Sequence, residues 1–254
     1  MLDLVTIPCL TDNYAYLIRN PETRETALID APEAAPILAV LAERGWSLAT
    51  VLLTHHHADH IQGVADIVAA TGARVLGAKA DAHRLPPLDR ALAEGDTISV
   101  GGEAGQVIDV SGHTVGHIAF LFPQSNLAFT ADSLMAGGCG RLFEGSPATM
   151  WASLSKLAAL PAETLICSGH EYTTSNLRFA ATIEPENPAL LARIAHVAEA
   201  RSKGKATVPS LLSEELATNP FLRAHLPEVK ALVGMAGASD AEAFAEIRAR
   251  KDKF

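Results

Sequence analysis

The chain has 254 residues, of which 48% are hydrophobic and 19% charged, with a formal net charge of -9. That size and apolar content bury a sizeable core, as one large domain or as a core domain with an appendage. The acidic balance argues against a nucleic-acid partner, whose phosphates need a basic footprint. It also requires any anionic substrate to be held by local positive charge against the overall field. The three cysteines, Cys9, Cys139 and Cys167, are widely spaced without a CxxC. They read as free thiols of a reducing cytosol, so a cytoplasmic location is expected. The first ten residues, MLDLVTIPCL, lack the basic n-region of a signal peptide. No apolar run reaches the ~18 residues of a transmembrane helix, so no membrane partner is expected.

Residues 2–7, 14–19 and 26–30 are short apolar or alternating runs bounded by Pro, Asn and Gly, which predicts three strands. Residues 32–44 follow with helical spacing of Ile37, Leu38 and Leu41, and Gly45 stands just past the end. The run Val51, Leu52, Leu53 predicts a buried strand over 49–54. Ile61, Val64, Ala65 and Val68 then share one face of a helix that Gly72 ends. Further strands are expected at 73–77, 97–100, 106–110, 118–122, 126–130 and 164–168. Ser146-Pro147 opens a helix to about residue 160, with the serine as N-cap and the proline at the first helical position. Beyond residue 170 the chain reads as helices, at 173–183, 188–202, 209–217 and 239–251. Strands with interspersed helices followed by a helical tail predict an α/β core over 1–170 and a small α-helical domain over 171–254.

The sharpest motif is Thr54-His55-His56-His57-Ala58-Asp59-His60, at the junction of the 49–54 strand and the next helix. Loops at strand ends are where an α/β scaffold presents its chemistry. Alternate residues of an extended segment point the same way, so His55 and His57 can bind one ion while His56 points elsewhere. Asp59 and His60, at the turn into the helix, can face a second ion. Ser111-Gly112-His113-Thr114-Val115-Gly116-His117 follows a strand, with glycines that let the backbone turn tightly. Asp132 and His170 each stand at a strand end. Read singly, Asp132 is a helix cap, and His113 or His170 a hydrogen-bonded loop histidine. Read with the first motif, they complete a set of five histidines and two aspartates. Such a set exceeds the four ligands of one tetrahedral ion and suits two divalent ions with one bridging carboxylate. Imidazole and carboxylate donors without cysteine fit zinc, iron or manganese. Zinc is the expected metal. Asp30, after the third strand, reads as a cap for the following helix, with a role behind the metals as the alternative.

HxHxDH followed by a lone His, a lone Asp and a lone His at strand ends resembles the metallo-β-lactamase superfamily. That resemblance implies an α/β (α+β) fold, a four-layered αββα sandwich with the metals at one edge. A narrower resemblance, to the glyoxalase II (hydroxyacylglutathione hydrolase) family, runs nearly end to end. Thr11-Asp12-Asn13-Tyr14, Gly138-Cys139-Gly140-Arg141 and Phe143-Glu144-Gly145 carry it. So do Gly169-His170-Glu171-Tyr172, Glu186-Asn187-Pro188 and the terminal Arg248 with Lys251-Asp252. It implies that His55, His57 and His113 hold one ion, that Asp59, His60 and His170 hold the other, and that Asp132 bridges. Asp59 and Asp132 are then the carboxylates of the catalytic centre. Arg141, Phe143, Tyr172, Arg248 and Lys251 fall at the glutathione part of the substrate.

The reaction so implied is hydrolysis of S-D-lactoylglutathione to D-lactate and glutathione by a hydroxide between the ions. It is the second step of methylglyoxal detoxification. A monomer acting on a small-molecule thioester is expected. The family commonly has tyrosine where this chain has Phe143, and loss of that hydroxyl should weaken glutathione binding by about 0.5–1.5 kcal/mol. Without the resemblance, Arg248 and Lys251 would read as cations favoured by a helix C-terminus, Tyr172 as a core aromatic and Arg141 as a surface arginine. A glutathione persulfide dioxygenase is the first rival. It uses one iron on two histidines and one carboxylate and generally lacks the terminal basic helix, so Arg248 and Lys251 argue against it. A lactonase or nuclease of the superfamily is the second, and a nuclease would need a basic surface.

Overall fold

The computed structural model describes residues 1–254. Two compact units divide it, one of residues 1–110 and 115–131, the other of residues 111–114 and 132–254.

In the first unit β1 (Asp3–Cys9), β2 (Asn13–Arg19), β3 (Thr26–Ile29), β4 (Thr50–Leu52), β5 (Arg74–Ala78) and β6 (Arg90–Leu92) form one sheet in that order. The first three strands are antiparallel and the steps from β3 to β6 are parallel. Parallel neighbours need crossovers. α1 (Ala34–Arg44) makes one, and α2 (Ala58–Ile61) with α3 (Val64–Thr71) makes the next. Gly45 and Gly72 end α1 and α3 at φ 62° and 70°, the left-handed caps their sequence positions predict. The register sets Ile29 beside Leu52 and Leu52 beside Leu76. The residues following β3 and β4, Asp30 and Thr54 onward, therefore emerge side by side. β7 (Thr97–Val100), β8 (Glu103–Asp109), β9 (Ile118–Phe122) and β10 (Leu127–Ala131) make an antiparallel run. β9 and β10 are buried throughout. The Tyr16 ring of the first sheet packs edge-on against Phe129 of the second at 5.6 Å, which closes the core between them.

The second unit holds the hairpin β11 (Leu134–Met135) and β12 (Gly138–Cys139), then α4 (Pro147–Ala158). β13 (Leu165–Ser168) pairs with β14 (Ser210–Leu211). α5 (Thr173–Ile183), α6 (Pro188–Ser202), α7 (Leu212–Thr218), α8 (Pro227–Leu232) and α9 (Asp240–Lys251) complete it. The Ser146 hydroxyl accepts from the Thr149 N–H, and Asn187 accepts from the N–H groups of Ala189 and Leu190. Ser239 and Glu242 form a capping box on α9. Trp151 of α4 packs on Phe244 of α9, and Phe221 lies against both Phe179 and Phe244. All three cysteines are buried and unpaired. No helix is long and apolar enough to cross a membrane.

Two expectations need correction. The helix expected from Ile61 to Gly72 is two pieces, broken at Gly63. A Cβ there would lie 2.9 Å from the Ala31 carbonyl oxygen, so the chain turns at the close approach that only glycine permits. Asp30 is not a helix cap: Glu33 holds the N-cap position of α1, and the Asp30 carboxylate is used elsewhere.

Candidate metal centre

In the first unit the donors stand on the loop after β4. The Asp30 carboxylate, 2% exposed, accepts from the Thr54 N–H at 2.9 Å and the Thr54 hydroxyl at 2.8 Å, and it contacts His60 Nδ1 at 2.8 Å. A carboxylate only accepts, so His60 Nδ1 carries the proton and Nε2 presents a lone pair. The Thr54 hydroxyl proton is spent on Asp30. His55 Nδ1, 3.0 Å from that oxygen, is therefore also the protonated nitrogen, and His55 Nε2 is the donor. One buried carboxylate thus sets the tautomer of two histidines, directly at His60 and through Thr54 at His55.

His55 Nε2 and His57 Nδ1 lie 3.1 Å apart. Two nitrogens on one tetrahedral ion stand about 3.3 Å apart, given metal–nitrogen bonds of ~2.0–2.1 Å. Asp59 Oδ2 lies 4.0 Å from His60 Nε2. The Asn13 amide donates to the Asp59 carboxylate at 3.1 Å and to its carbonyl at 3.0 Å. That gives Asn13 of the Thr11–Tyr14 motif a task the sequence alone did not reveal. His56 turns away, as the alternation predicts, to Asp81 at 3.0 Å. His117 stacks flat on His55 with ring centroids 4.6 Å apart.

In the second unit, Asp132 Oδ2 lies 3.5 Å from His113 Nε2 and 3.4 Å from His170 Nε2. His113 Nδ1 is 2.8 Å from the Arg141 carbonyl oxygen. A carbonyl only accepts, so Nδ1 carries a proton, and the ring turns Nε2 toward the Asp132 carboxylate. With Nε2 deprotonated, as a metal ligand must be, the ring would present a lone pair on the same side as the Asp132 oxygen. Nitrogen and oxygen donors held in this way fit a divalent ion, and Asp132 has a histidine on each side of one oxygen, as a bridging carboxylate requires. Ala131, just before it, adopts φ 41°, and Asp30 adopts φ 56°. Left-handed backbone at residues with a Cβ costs of order 1–3 kcal/mol and persists where the surroundings over-determine it. Leu10, Arg24 and Asn126 share this conformation, but Ala131 ends β10 immediately before Asp132, and Asp30 follows β3 and is itself the carboxylate that holds Thr54 and His60.

The residues expected at the substrate lie in the same unit. Arg248, 6% exposed, donates from Nε and Nη2 to Asp252 at 3.1 and 2.8 Å, and from Nη1 to the Cys139 carbonyl at 3.1 Å. Arg141, mostly exposed, approaches the same Asp252 carboxylate at 3.8 Å. Lys251 Nζ sits over the Phe179 and Phe254 rings at 5.2 and 5.1 Å. Burial, followed by the nearby Arg248 charge, lowers its pKa to about 8. Phe143 is exposed, with its ring against His113 at 5.3 Å. Tyr172 stacks on His170 at 4.6 Å. Arg141 and Arg248 thus meet at Asp252, Lys251 lies over Phe179 and Phe254 and donates to the Ser175 carbonyl at 3.3 Å, and Phe143 and Tyr172 lie against metal-ligand candidates.

Residues 10–170 match the family model described as "Metallo-beta-lactamase superfamily", and residues 171–254 match "Hydroxyacylglutathione hydrolase C-terminus". A hydroxyacylglutathione hydrolase of Cereibacter sphaeroides is 66% identical over 253 residues, spanning 100% of this chain and 99% of its own. The chain belongs to the hydroxyacylglutathione hydrolase family. A member from Rhodobacter capsulatus is 54% identical over 254 residues, again across 100% of this chain and 99% of its own. Among solved structures, ETHE1 from Myxococcus xanthus is 25% identical with a TM-score of 0.65, covering 99% of this chain and 98% of its own. TTHA1623, solved in a di-iron-bound form, is 31% identical with a TM-score of 0.58, over 66% of this chain and 91% of its own. The BLEG-1 B3 metallo-beta-lactamase, at 20% identity and a TM-score of 0.67 over 87% of this chain and 99% of its own, speaks for the fold alone. The fold is the αββα metallo-β-lactamase-like sandwich with a C-terminal helical region. Full-length relatives under a single hydrolase name do not favour the dioxygenase and lactonase alternatives.

Proposed function

We propose that the protein hydrolyses S-D-lactoylglutathione and related S-2-hydroxyacylglutathiones to the hydroxy acid and glutathione. The observation that carries this reading is Asp132, whose carboxylate oxygen stands between the ring nitrogens of His113 and His170. It does so in a chain that matches hydroxyacylglutathione hydrolases from end to end. His55, His57 and His113 would hold one divalent ion and Asp59, His60 and His170 the second, with Asp132 as the carboxylate shared by both. Zinc suits this donor set, as do iron and manganese. Residues 1–170 act as the catalytic domain and residues 171–254 as the substrate-binding domain of a cytoplasmic monomer.

Divalent ions bound there would supply water activation and polarisation of the thioester carbonyl. The chain's own residues do the rest. Asp30 and Thr54 keep His55 and His60 in the donor tautomer, the Arg141 carbonyl does the same for His113, and Asn13 holds Asp59 in place. No strong general acid is required, because the leaving thiolate resembles a free cysteine with a solution pKa of ~8.5. The direct test assays S-D-lactoylglutathione hydrolysis and metal content on one preparation. Activity proportional to two ions per chain supports the reading; oxygen uptake on glutathione persulfide without thioester hydrolysis would sink it.

Glutathione carries two carboxylates and the chain as a whole is acidic, so its recognition falls to Arg141, Arg248 and Lys251. Arg141 and Lys251 supply charge-assisted hydrogen bonds worth ~1.5–3 kcal/mol each when well formed, and Arg248 adds its charge from beneath. Replacing Arg141 and Lys251 together by alanine should lower kcat/KM about 10- to 100-fold, mostly through KM, because binding shared by ground and transition states appears there. A small thioester without glutathione should be hydrolysed slowly by the parent and no more slowly by the variant. Equal loss on both substrates would remove the two residues from recognition. An amine is charged below its pKa, so with Lys251 at about 8 the charge is present at neutral pH and lost above pH 8. KM should rise there in the parent and not in Lys251→Ala. Phe143→Tyr restores the family hydroxyl and should lower KM about 2- to 12-fold, corresponding to about 0.5–1.5 kcal/mol; an unchanged KM would mean that position 143 does not reach the tripeptide.

A further inference from the structure

The hairpin Leu134–Cys139 is only two residues deep on each side, too short to hold itself. Side chains of the C-terminal helices grip its backbone instead. The Asn219 amide, fully buried, donates to the carbonyls of Met135 at 3.2 Å and Gly138 at 2.9 Å. Asn176 donates to the Ala136 carbonyl at 3.1 Å, and Arg248 to that of Cys139 at 3.1 Å. The Gly137 N–H donates to the Glu215 carboxylate at 2.8 Å. Glu215 is itself buried, paired with Arg193 and hydrogen-bonded by Ser210 and Asn219. Five consecutive residues, 135 to 139, thus each have a backbone group held by a side chain from far along the chain.

The consequence reaches the metal-ligand candidates His113 and Asp132 through the residues that follow the hairpin. Gly140 is pressed so close that a Cβ would lie 2.0 Å from the Asp132 carbonyl oxygen and 2.8 Å from His113 Nδ1. Arg141 then presents the carbonyl that takes the His113 Nδ1 proton. We infer that Asn219, with Glu215, is a positioning residue for His113: it fixes the Leu134–Cys139 hairpin so that the Arg141 carbonyl holds the His113 ring with Nε2 toward Asp132. The C-terminal helices thereby serve the reaction through the metal site as well as through glutathione. This inference rests on the two-ion reading above.

The test compares Asn219→Ala with Leu190→Ala, which hollows the buried cluster of Leu177, Ala180, Leu190 and Val197 between α5 and α6 and leaves the hairpin donors intact. Each protein is stripped of metal and titrated with zinc against a chelator, and its cobalt-loaded form is examined by visible absorption. Loss of the group behind a ligating histidine typically costs 10- to 100-fold in metal affinity. Asn219→Ala should weaken one of the two ions by that factor, change the cobalt spectrum, and lower kcat at fixed KM. Leu190→Ala should lose thermal stability and keep both affinities and the spectrum. Should Asn219→Ala not fold, Asn176→Ala, which removes only the Ala136 contact, should show the same changes in smaller measure. Both hairpin variants binding two ions with parent affinity and spectrum would overturn the inference alone, as would an equal loss in Leu190→Ala. A parent protein that binds no second ion would overturn the two-ion reading and the inference with it.

Discussion

Asp132→Asn should leave a folded protein that has lost most of its metal and nearly all of its turnover. The substitution preserves shape and removes one negative charge from the point where His113 and His170 converge at 3.5 and 3.4 Å. A neutral amide offers one oxygen where a carboxylate offers two, and in the proposed two-ion centre it would not offset the repulsion between the cations. Metal content should fall well below two per chain. kcat should drop by roughly three orders of magnitude, about 4 kcal/mol of transition-state stabilisation. Elemental analysis paired with steady-state kinetics reads both numbers. A parent protein found fully active with a single tightly held ion would end the bridging role of this residue.

Asp30→Ala should act on the histidine loop of the first unit. The residue is buried and keeps three polar groups satisfied: the Thr54 N–H, the Thr54 hydroxyl and the His60 Nδ1–H. Stripping their acceptor leaves buried donors unsatisfied at about 1–3 kcal/mol each, less whatever water recovers. It also frees His60 and His55 to take the other tautomer, so metal affinity should fall by about 10- to 100-fold. Asp30→Asn keeps an oxygen acceptor and a residue type that tolerates φ 56°, and it should fall between parent and alanine in both urea midpoint and metal titration. If the asparagine variant bound metal as the parent does and the alanine variant did not, geometry rather than charge would be the contribution of Asp30.

What the sequence disclosed and what it withheld follow from the range of the interactions. Strand alternation has a period of two residues, so the opposite directions of His56 and of His55 with His57 could be read from a five-residue window. Caps are equally local: Ser146, Asn187 and Gly45 act within three residues of themselves, and each does what its neighbours imply. Asp30 was misread because its partners lie 24 and 30 residues away. They are brought to it by the pairing of Ile29 with Leu52, which no local pattern encodes. The hairpin at 134–139 escaped for a related reason. Two-residue strands have no periodicity, and the groups that hold them come from 40 to 109 residues further on. β8 starts at Glu103 rather than near 106 because a buried glutamate, accepting from Ser125, occupies a position where an apolar residue would have been the signal. The metal-ligand candidates stand out in the sequence because their chemistry is rare and clustered. The residues that aim them do not, because an aspartate, a threonine or an asparagine looks the same in sequence whether it caps a turn or orients a histidine.

The buried cysteines bear on how the protein meets its own product. Each turnover of a glutathione thioester releases a thiol. Exchange with a disulfide needs a thiolate that can be reached. Burial raises Cys9 and Cys139 to about 11, the latter despite the adjacent Arg248 charge, and pushes Cys167 higher still. At neutral pH all three sulfurs are protonated and enclosed. Incubation with glutathione disulfide should therefore leave these three thiols uncapped in the folded protein, a result that mass spectrometry of the intact chain reads directly.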